Sequence, residues 1–299
     1  MVQDHRVAQN DRRVGDHLEG QQHPQSQQHP EGQYHPDGQY RALSARYIDQ
    51  AAGRPQPPLV LLHGFTQTAN SWAPVVDALD GSFPLVLPDA PGHGGSSLVR
   101  ADLWHAADLL AEAVGQPATW VGYSMGGRTA LHVALSHPDL VDGLVLISTS
   151  AGIDDETQRA ERRAADEALA ERLEREGIEK FLAGWLSQPL FATLPPERAG
   201  LLERLANTPA GLASSLRLAG AGAQEPLWDR LSELATRHRP ILLIAGELDH
   251  RYCEQAERMA AAIGPPATVS TVSGAGHACH LERPREVAAA IAGLRMPDP

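Results

Sequence analysis

The sequence predicts an α/β protein: a mostly parallel, doubly wound sheet with a helical segment inserted between two of its strands. Three observations carry this. Short unbroken apolar runs at 58–62, 84–88, 118–121, 144–147 and 240–246 have the pattern of strands covered on both faces. Stretches with helical periodicity separate most of them, so strand and helix alternate. Between about 151 and 237 that alternation stops, and only helix-like sequence rich in Ala, Glu and Arg remains.

Taken in order, residues 1–38 are rich in Gln, His, Pro and Gly, with His23, His29 and His35 recurring every six residues. Too few apolar side chains are present to form a core, and a disordered tail is expected. Residues 39–150 read as the first part of a folded core. In it, 40–48 supply one or two edge strands, and helices are expected over 71–79, 101–114 and 124–136. The segment 151–237 reads as a helical lid, with helices over 155–177, 178–186 and 196–206. Residues 238–299 complete the core with a strand at 240–246, a helix at 253–263, a short strand at 267–272 and a final helix at 283–294. A helical insertion at that point covers the carboxyl ends of the strands, where ligands of open α/β sheets bind.

The chain's 299 residues suffice for one large domain, or for a core with an inserted lid, and 42% hydrophobic content is ordinary for a globular protein. No apolar run approaches the roughly 20 residues of a membrane helix, and the polar N-terminus does not read as a secretory signal. Cys253 and Cys279 form neither a disulfide framework nor a metal-site spacing. A cytoplasmic protein is expected, with no membrane partner, and a monomer is compatible with the sequence. The net charge of −12 argues against nucleic acid as a partner, because the summed field repels polyanions. Any small anionic ligand must be drawn by a local cluster of arginines.

The chemistry centres on Gly122-Tyr123-Ser124-Met125-Gly126, where an apolar run gives way to a helical pattern. A strand turning sharply into a helix crowds its own backbone, and glycine tolerates the close approach. The turn presents the Ser124 hydroxyl and leaves the Met125 N–H unpaired at a helix N-terminus. Such a motif also arises by chance, so its partners decide. Asp249 follows the run 240–246, where an acid is either a helix cap or an orienting carboxylate. His277 follows the last strand in Gly274-Ala-Gly-His277. Ser124, Asp249 and His277 stand in the chain order of a nucleophile-elbow enzyme, each just past a strand. Serine needs a histidine to take its proton, and that histidine needs an acid to fix its tautomer. His63-Gly64-Phe65 ends another strand. The Phe65 N–H is the second candidate donor of an oxyanion hole with Met125, though Phe65 also suits a core aromatic. Asp89 to Ser96 reads as a structural turn, with His93 non-catalytic.

At this point a resemblance is plain. From about 59 to 294 the chain resembles the α/β-hydrolase superfamily. Within it, Gly122-Tyr-Ser-Met-Gly-Gly-Arg128, Arg159-x-x-Arg162-x-x-x-Asp166, Phe181-Leu-Ala-Gly-Trp185, Arg204-x-x-Asn207 and Gly220-x-Gly-x-Gln224-x-Pro-Leu-Trp228 resemble the 2-succinyl-6-hydroxy-2,4-cyclohexadiene-1-carboxylate synthases of menaquinone biosynthesis. The resemblance implies a lyase that eliminates pyruvate, with the triad as base and no metal or organic cofactor. It also implies an anionic small-molecule substrate held by Arg128, Arg162 and Arg204, with Tyr123 and Trp185 in the pocket. Arg217 is a further candidate. An acidic protein needs such arginines to hold carboxylates, and bidentate guanidinium pairs are the strong way to do so. Two other readings remain open: an esterase or carbon–carbon bond hydrolase using the same triad, and a non-catalytic ligand-binding relative.

Overall fold

The computed structural model describes residues 43–48 and 56–294; the tail expected over 1–38 lies outside them. The described strands are β1 (Ala45–Ile48), β2 (Leu59–Leu62), β3 (Leu85–Pro88), β4 (Ala118–Tyr123), β5 (Val141–Ile147), β6 (Ile241–Gly246) and β7 (Ala267–Val272). They form one seven-stranded sheet in the order β1-β3-β2-β4-β5-β6-β7. Only β1 runs antiparallel to its neighbour; the other pairings are parallel. Every residue of β2, β3 and β6 is buried, as their unbroken apolar sequence requires, whereas the edge strand β7 is largely open.

The helices are α1 (Ala73–Leu79), α2 (Leu103–Val114), α3 (Met125–Ser136), α4 (Glu156–Glu176), α5 (Ile178–Leu186), α6 (Leu201–Arg204), α7 (Pro209–Ala219), α8 (His250–Ile263), α9 (Cys279–Glu282) and α10 (Pro284–Ala292). Their starts are set by local chemistry. Asp102 accepts from the His105 N–H at 2.8 Å to open α2, and Asp155 does the same for α4 through Gln158 at 2.8 Å. Gly115 takes φ +63 to close α2.

Side chains alternate between the faces of the sheet with the strand period of two. Val60 and Leu62, with Leu144 and Leu146, pack beneath α2, α3 and α8 beside Trp120, Leu131 and Met259. Leu59 and Leu61, with Val145 and Ile147, pack beneath α1 and α10 beside Trp72 and Val287. Each fully buried aliphatic side chain here contributes about 1.5–3 kcal/mol of transfer free energy. The helices between β5 and β6 have a small core of their own, in which Leu173, Phe181, Leu182, Leu212 and Leu216 meet Phe65 and Trp185.

The structure differs from the sequence reading inside this insertion. The helix expected over 196–206 is broken into a 3-10 turn (Pro196–Arg198) and the four-residue α6, because Gly200 between them adopts φ +64. In its place α7 is the main packing partner of α4, and the sequence reading had not singled it out. Its start is marked by Thr208, whose hydroxyl accepts from the Gly211 N–H at 3.1 Å, and by Pro209 in the first turn. Arg217 on α7 is engaged by Glu167 and Glu174 of α4, a staple between the two helices. Asp166, 2% exposed, accepts from Arg162 Nε at 2.8 Å and from the Gly222 N–H at 3.0 Å, tying α4 to the turn after α7.

Candidate active site

Ser124 sits between β4 and α3 with φ 51 and ψ −109, a conformation L-residues rarely adopt. Its N–H is fixed on Ile147 O at 2.8 Å, and its carbonyl accepts from Thr149 Oγ1 at 2.8 Å. The two flanking glycines are obligatory: a Cβ on Gly122 would strike the carbonyl of Gly126, and one on Gly126 would strike that of Leu62. Backbone therefore packs against backbone at the elbow, and Ser124 is held outward from it.

The turn after β6 carries Asp249, and the turn after β7 carries His277. His277 is 2% exposed, with Nδ1 2.8 Å from Asp249 Oδ2 and Nε2 3.3 Å from Ser124 Oγ. An ionised Asp249 accepts only, so the network assigns the proton to Nδ1 and leaves Nε2 as the acceptor facing the serine hydroxyl. Asp249 is a helix cap as well: its other oxygen accepts from the Tyr252 N–H at 3.4 Å at the start of α8. Glu282, buried on α9, accepts from the Gly276 N–H at 2.9 Å and so braces the loop bearing His277.

Phe65 follows β2, and Met125 is the first residue of α3. The peptide joining Gly64 to Phe65 is anchored at its carbonyl by the Gln67 N–H at 3.1 Å and by His63 Nδ1 at 2.8 Å. In a trans peptide the N–H points the opposite way from the carbonyl, so these bonds also set the direction of the Phe65 N–H. Among the described residues, neither the Phe65 nor the Met125 N–H is used in a hydrogen bond to the protein.

An aromatic wall borders the histidine. Ring centroids lie 5.4 Å apart for Tyr123 and His277, 5.1 Å for Phe65 and Trp185, and 6.1 Å for Phe191 and His277. Among the described residues, the buried Trp185 Nε1 has no hydrogen-bond partner. Tyr252, which the sequence reading did not single out, has its ring 4.5 Å from that of His277. The available signal was its spacing, one helical turn after Asp249.

The three arginines have different surroundings. Arg128 lies one turn after Ser124 on α3; its side chain is deep in the molecule with part of its surface open, and Nη1 donates to Gly220 O at 3.2 Å. Burial pushes its pKa down to about 10, so it remains charged at neutral pH, and among the described residues no carboxylate pairs with it. Arg162 spends Nε on Asp166 and keeps 39% of its side chain exposed. Arg204 is 2% exposed, with Nε on Ala199 O at 2.7 Å and Nη1 on the Thr66 hydroxyl. Burial also pushes its pKa to about 10. His93 is buried, bonded to Pro91 O at 3.0 Å and pushed down to about 3 by desolvation, so it is neutral. The thiol of Cys279, beside the loop bearing His277, is pushed up to about 12 by burial, which keeps it protonated and unreactive.

Among the described residues no three His, Cys, Asp or Glu side chains are grouped as metal ligands would be, and no helix is long and apolar enough to cross a membrane.

Comparison with known proteins agrees with this architecture. Residues 59–290 match the Alpha/beta hydrolase family. A 2-succinyl-6-hydroxy-2,4-cyclohexadiene-1-carboxylate synthase of Salmonella heidelberg is 34% identical over 259 residues, spanning 84% of this chain and 98% of that protein. The synthase of the same name from Klebsiella pneumoniae is 33% identical, spanning 81% of this chain and 95% of its own length. Among solved structures, MenH from S. aureus superposes with a TM-score of 0.77 at 32% identity, covering 84% of this chain and 97% of that one. A thermophilic esterase from Thermogutta terrifontis gives 0.70 at 26% identity, over 84% and 92% of the two chains. The sheet order, the elbow and these matches lead to one conclusion: the chain belongs to the α/β-hydrolase family, among relatives named 2-succinyl-6-hydroxy-2,4-cyclohexadiene-1-carboxylate synthase.

Proposed function

We propose that the chain is a carbon–oxygen lyase of menaquinone biosynthesis. It eliminates pyruvate from 2-succinyl-5-enolpyruvyl-6-hydroxy-3-cyclohexene-1-carboxylate to give 2-succinyl-6-hydroxy-2,4-cyclohexadiene-1-carboxylate. Ser124, polarised by His277 and Asp249, takes the ring proton made acidic by the adjacent succinyl ketone. Electrons move through the ring, the carbon–oxygen bond to the enolpyruvyl group breaks, and the departing enolate is protonated to pyruvate. The N–H groups of Phe65 and Met125 hold the negative charge that builds on the ketone oxygen, a role worth about 2.7–4 kcal/mol per donor. Arg128, Arg162 and Arg204 bind the carboxylates, with Tyr123 and Trp185 against the ring. The insertion over 151–237 acts as a lid between the core parts 39–150 and 238–299, and the reaction takes place in the cytoplasm.

The observation that carries this reading is Arg128. A desolvated cation with no carboxylate partner among the described residues, one helical turn from Ser124, is costly unless an anion arrives to meet it. An esterase of neutral substrates has no use for it. The similarity to the T. terrifontis esterase supports hydrolysis as the second reading, since one fold hosts many chemistries. The deciding experiment is pyruvate release from enzymatically generated substrate, measured against the spontaneous rate and against Ser124→Ala. Fast release that depends on Ser124 supports the lyase. Release at background, with turnover of simple esters, moves the assignment to a hydrolase.

A further inference from the structure

The turn Gly64-Phe65-Thr66-Gln67 is closed by the Gln67 N–H on Gly64 O at 3.1 Å. Its third residue, Thr66, has φ +67 while Phe65 does not share a positive φ, the signs of a type II turn. That position normally takes glycine, and a β-branched side chain there is strained. Strain of this kind persists only where the surroundings over-determine it.

The surroundings that do so come from the helical insertion. Arg204 Nη1 donates to the Thr66 hydroxyl. Asn207 Nδ2 donates to the Thr66 carbonyl at 2.8 Å and to the Arg204 carbonyl at 3.0 Å. Asn207 Oδ1 accepts from the Gly94 N–H at 2.9 Å, in the turn that follows β3. Every amide atom of Asn207 is thus used, in one orientation only, and the three residues are all buried: Thr66 0%, Arg204 2%, Asn207 4% exposed. From the core side, Gln67 Oε1 accepts from the Gly64 N–H at 2.9 Å, and the Tyr123 ring fills the space a Gly64 side chain would need.

We infer that Asn207 and Thr66 form a latch by which the helical insertion holds the Phe65 N–H at its working position, making them positioning residues for turnover. The inference rests on the reading of that N–H as an oxyanion donor. Releasing the latch lets Thr66 leave the left-handed region, and the turn that aims the Phe65 N–H relaxes with it. Asn207→Asp leaves the Arg204 guanidinium on Ala199 O and the Thr66 hydroxyl, so its loss falls on kcat and not on KM, whereas Thr66→Val also removes a partner of that guanidinium. A donor displaced by about 1 Å is enough to cost on the order of 100-fold.

The test uses the full chain and two independent readouts. Asn207→Asp keeps the shape but turns a donor facing two carbonyls into an acceptor. Thr66→Val removes the hydroxyl and keeps the branching, and it covers the case in which Asn207→Asp does not fold. Thr66→Ser restores the hydroxyl. Amide hydrogen exchange of the peptide spanning 63–67 reads the position of the loop, and steady-state pyruvate release reads its effect. The expected result is faster exchange at 63–67 in Asn207→Asp and Thr66→Val, with α4 and α7 still protected. With it, kcat falls roughly 10- to 100-fold in both, KM stays within about twofold in Asn207→Asp, and Thr66→Ser is close to the parent. Unchanged exchange at 63–67 overturns the latch itself. Faster exchange with unchanged kcat leaves the latch standing as structure and overturns its role in turnover. A rise in KM at constant kcat in Asn207→Asp overturns the inference in favour of a substrate-binding role.

Discussion

Asp249 divides its carboxylate between two tasks: one oxygen meets His277 Nδ1 at 2.8 Å, and the other accepts from the Tyr252 N–H at 3.4 Å in the first turn of α8. The two can be separated by mutation. Asparagine is as good an N-cap as aspartate, but its amide can present a donor to His277 and favour the wrong tautomer. Asp249→Asn is expected to keep its thermal stability within about 0.5 kcal/mol while kcat falls by roughly 10³- to 10⁴-fold. Asp249→Ala should lose turnover similarly and about 1 kcal/mol of stability as well. Paired melting curves and pyruvate release check both; equal stability of the two variants would remove the capping role.

Ser124 is held at a positive φ that only its neighbours enforce. Removing the side chain without relieving the backbone, as in Ser124→Ala, should abolish Ser124-dependent turnover and leave substrate binding near the parent value. Ser124→Gly should be equally inactive but more stable than Ser124→Ala, by about 1–3 kcal/mol, because glycine adopts the conformation without strain. Thermal melts of the two inactive proteins measure the difference, and a less stable glycine variant would contradict it.

Arg128 is desolvated without a counter-ion among the described residues, so its presence costs the empty protein stability. Arg128→Met, apolar and of comparable length, should be at least as stable as the parent, while KM rises by about 100-fold or more. Isothermal titration with a dicarboxylate product analogue provides the affinity directly. Tight binding by the methionine variant would remove Arg128 from the substrate site.

Buried histidines make the fold sensitive to acid. His63, His93, His132 and His280 all have lowered pKa values with burial as the first cause, His93 to about 3 and His132 to about 4. Each is neutral in the folded chain, whereas the unfolded chain takes up a proton near 6.5. Their contribution is therefore fully present above pH 6.5 and is lost as pH falls below it toward the folded pKa values, by about 2 kcal/mol at pH 5 for each of His93 and His132. Melting temperature should be flat between pH 7 and 8 and fall steeply below 6. His93→Asn should flatten that slope.

Much of this was legible in the sequence because it is encoded locally. Strands β2, β3 and β6 announce themselves as apolar runs since both faces are covered; Ser124 and Asp249 stand just past such runs, and His277 follows the more open edge strand β7. The insertion was harder. Helix α7 is written in Ala, Gly and Ser, with Leu212 and Leu216 as its larger apolar anchors, and its burial depends on α4 across it. The break at Gly200 is a conformational choice that composition does not force. Arg217 and Arg204 both sit among helical residues of similar character, and only folding shows that one faces two glutamates and the other a threonine hydroxyl. Tyr252 was missed because its role follows from where α8 begins.

The contacts at Gly122 and Gly126 are made with main-chain atoms, and main chain is the one part of a protein that substitution leaves in place. Ser124 is therefore a fixed point of the architecture: side chains of the core, the aromatic wall or the insertion can be exchanged without re-aiming it. An engineer seeking a new substrate can rebuild residues 151–237 around Arg204 and Asn207, which hold the Phe65 turn, without moving Ser124, provided those two hydrogens are never replaced.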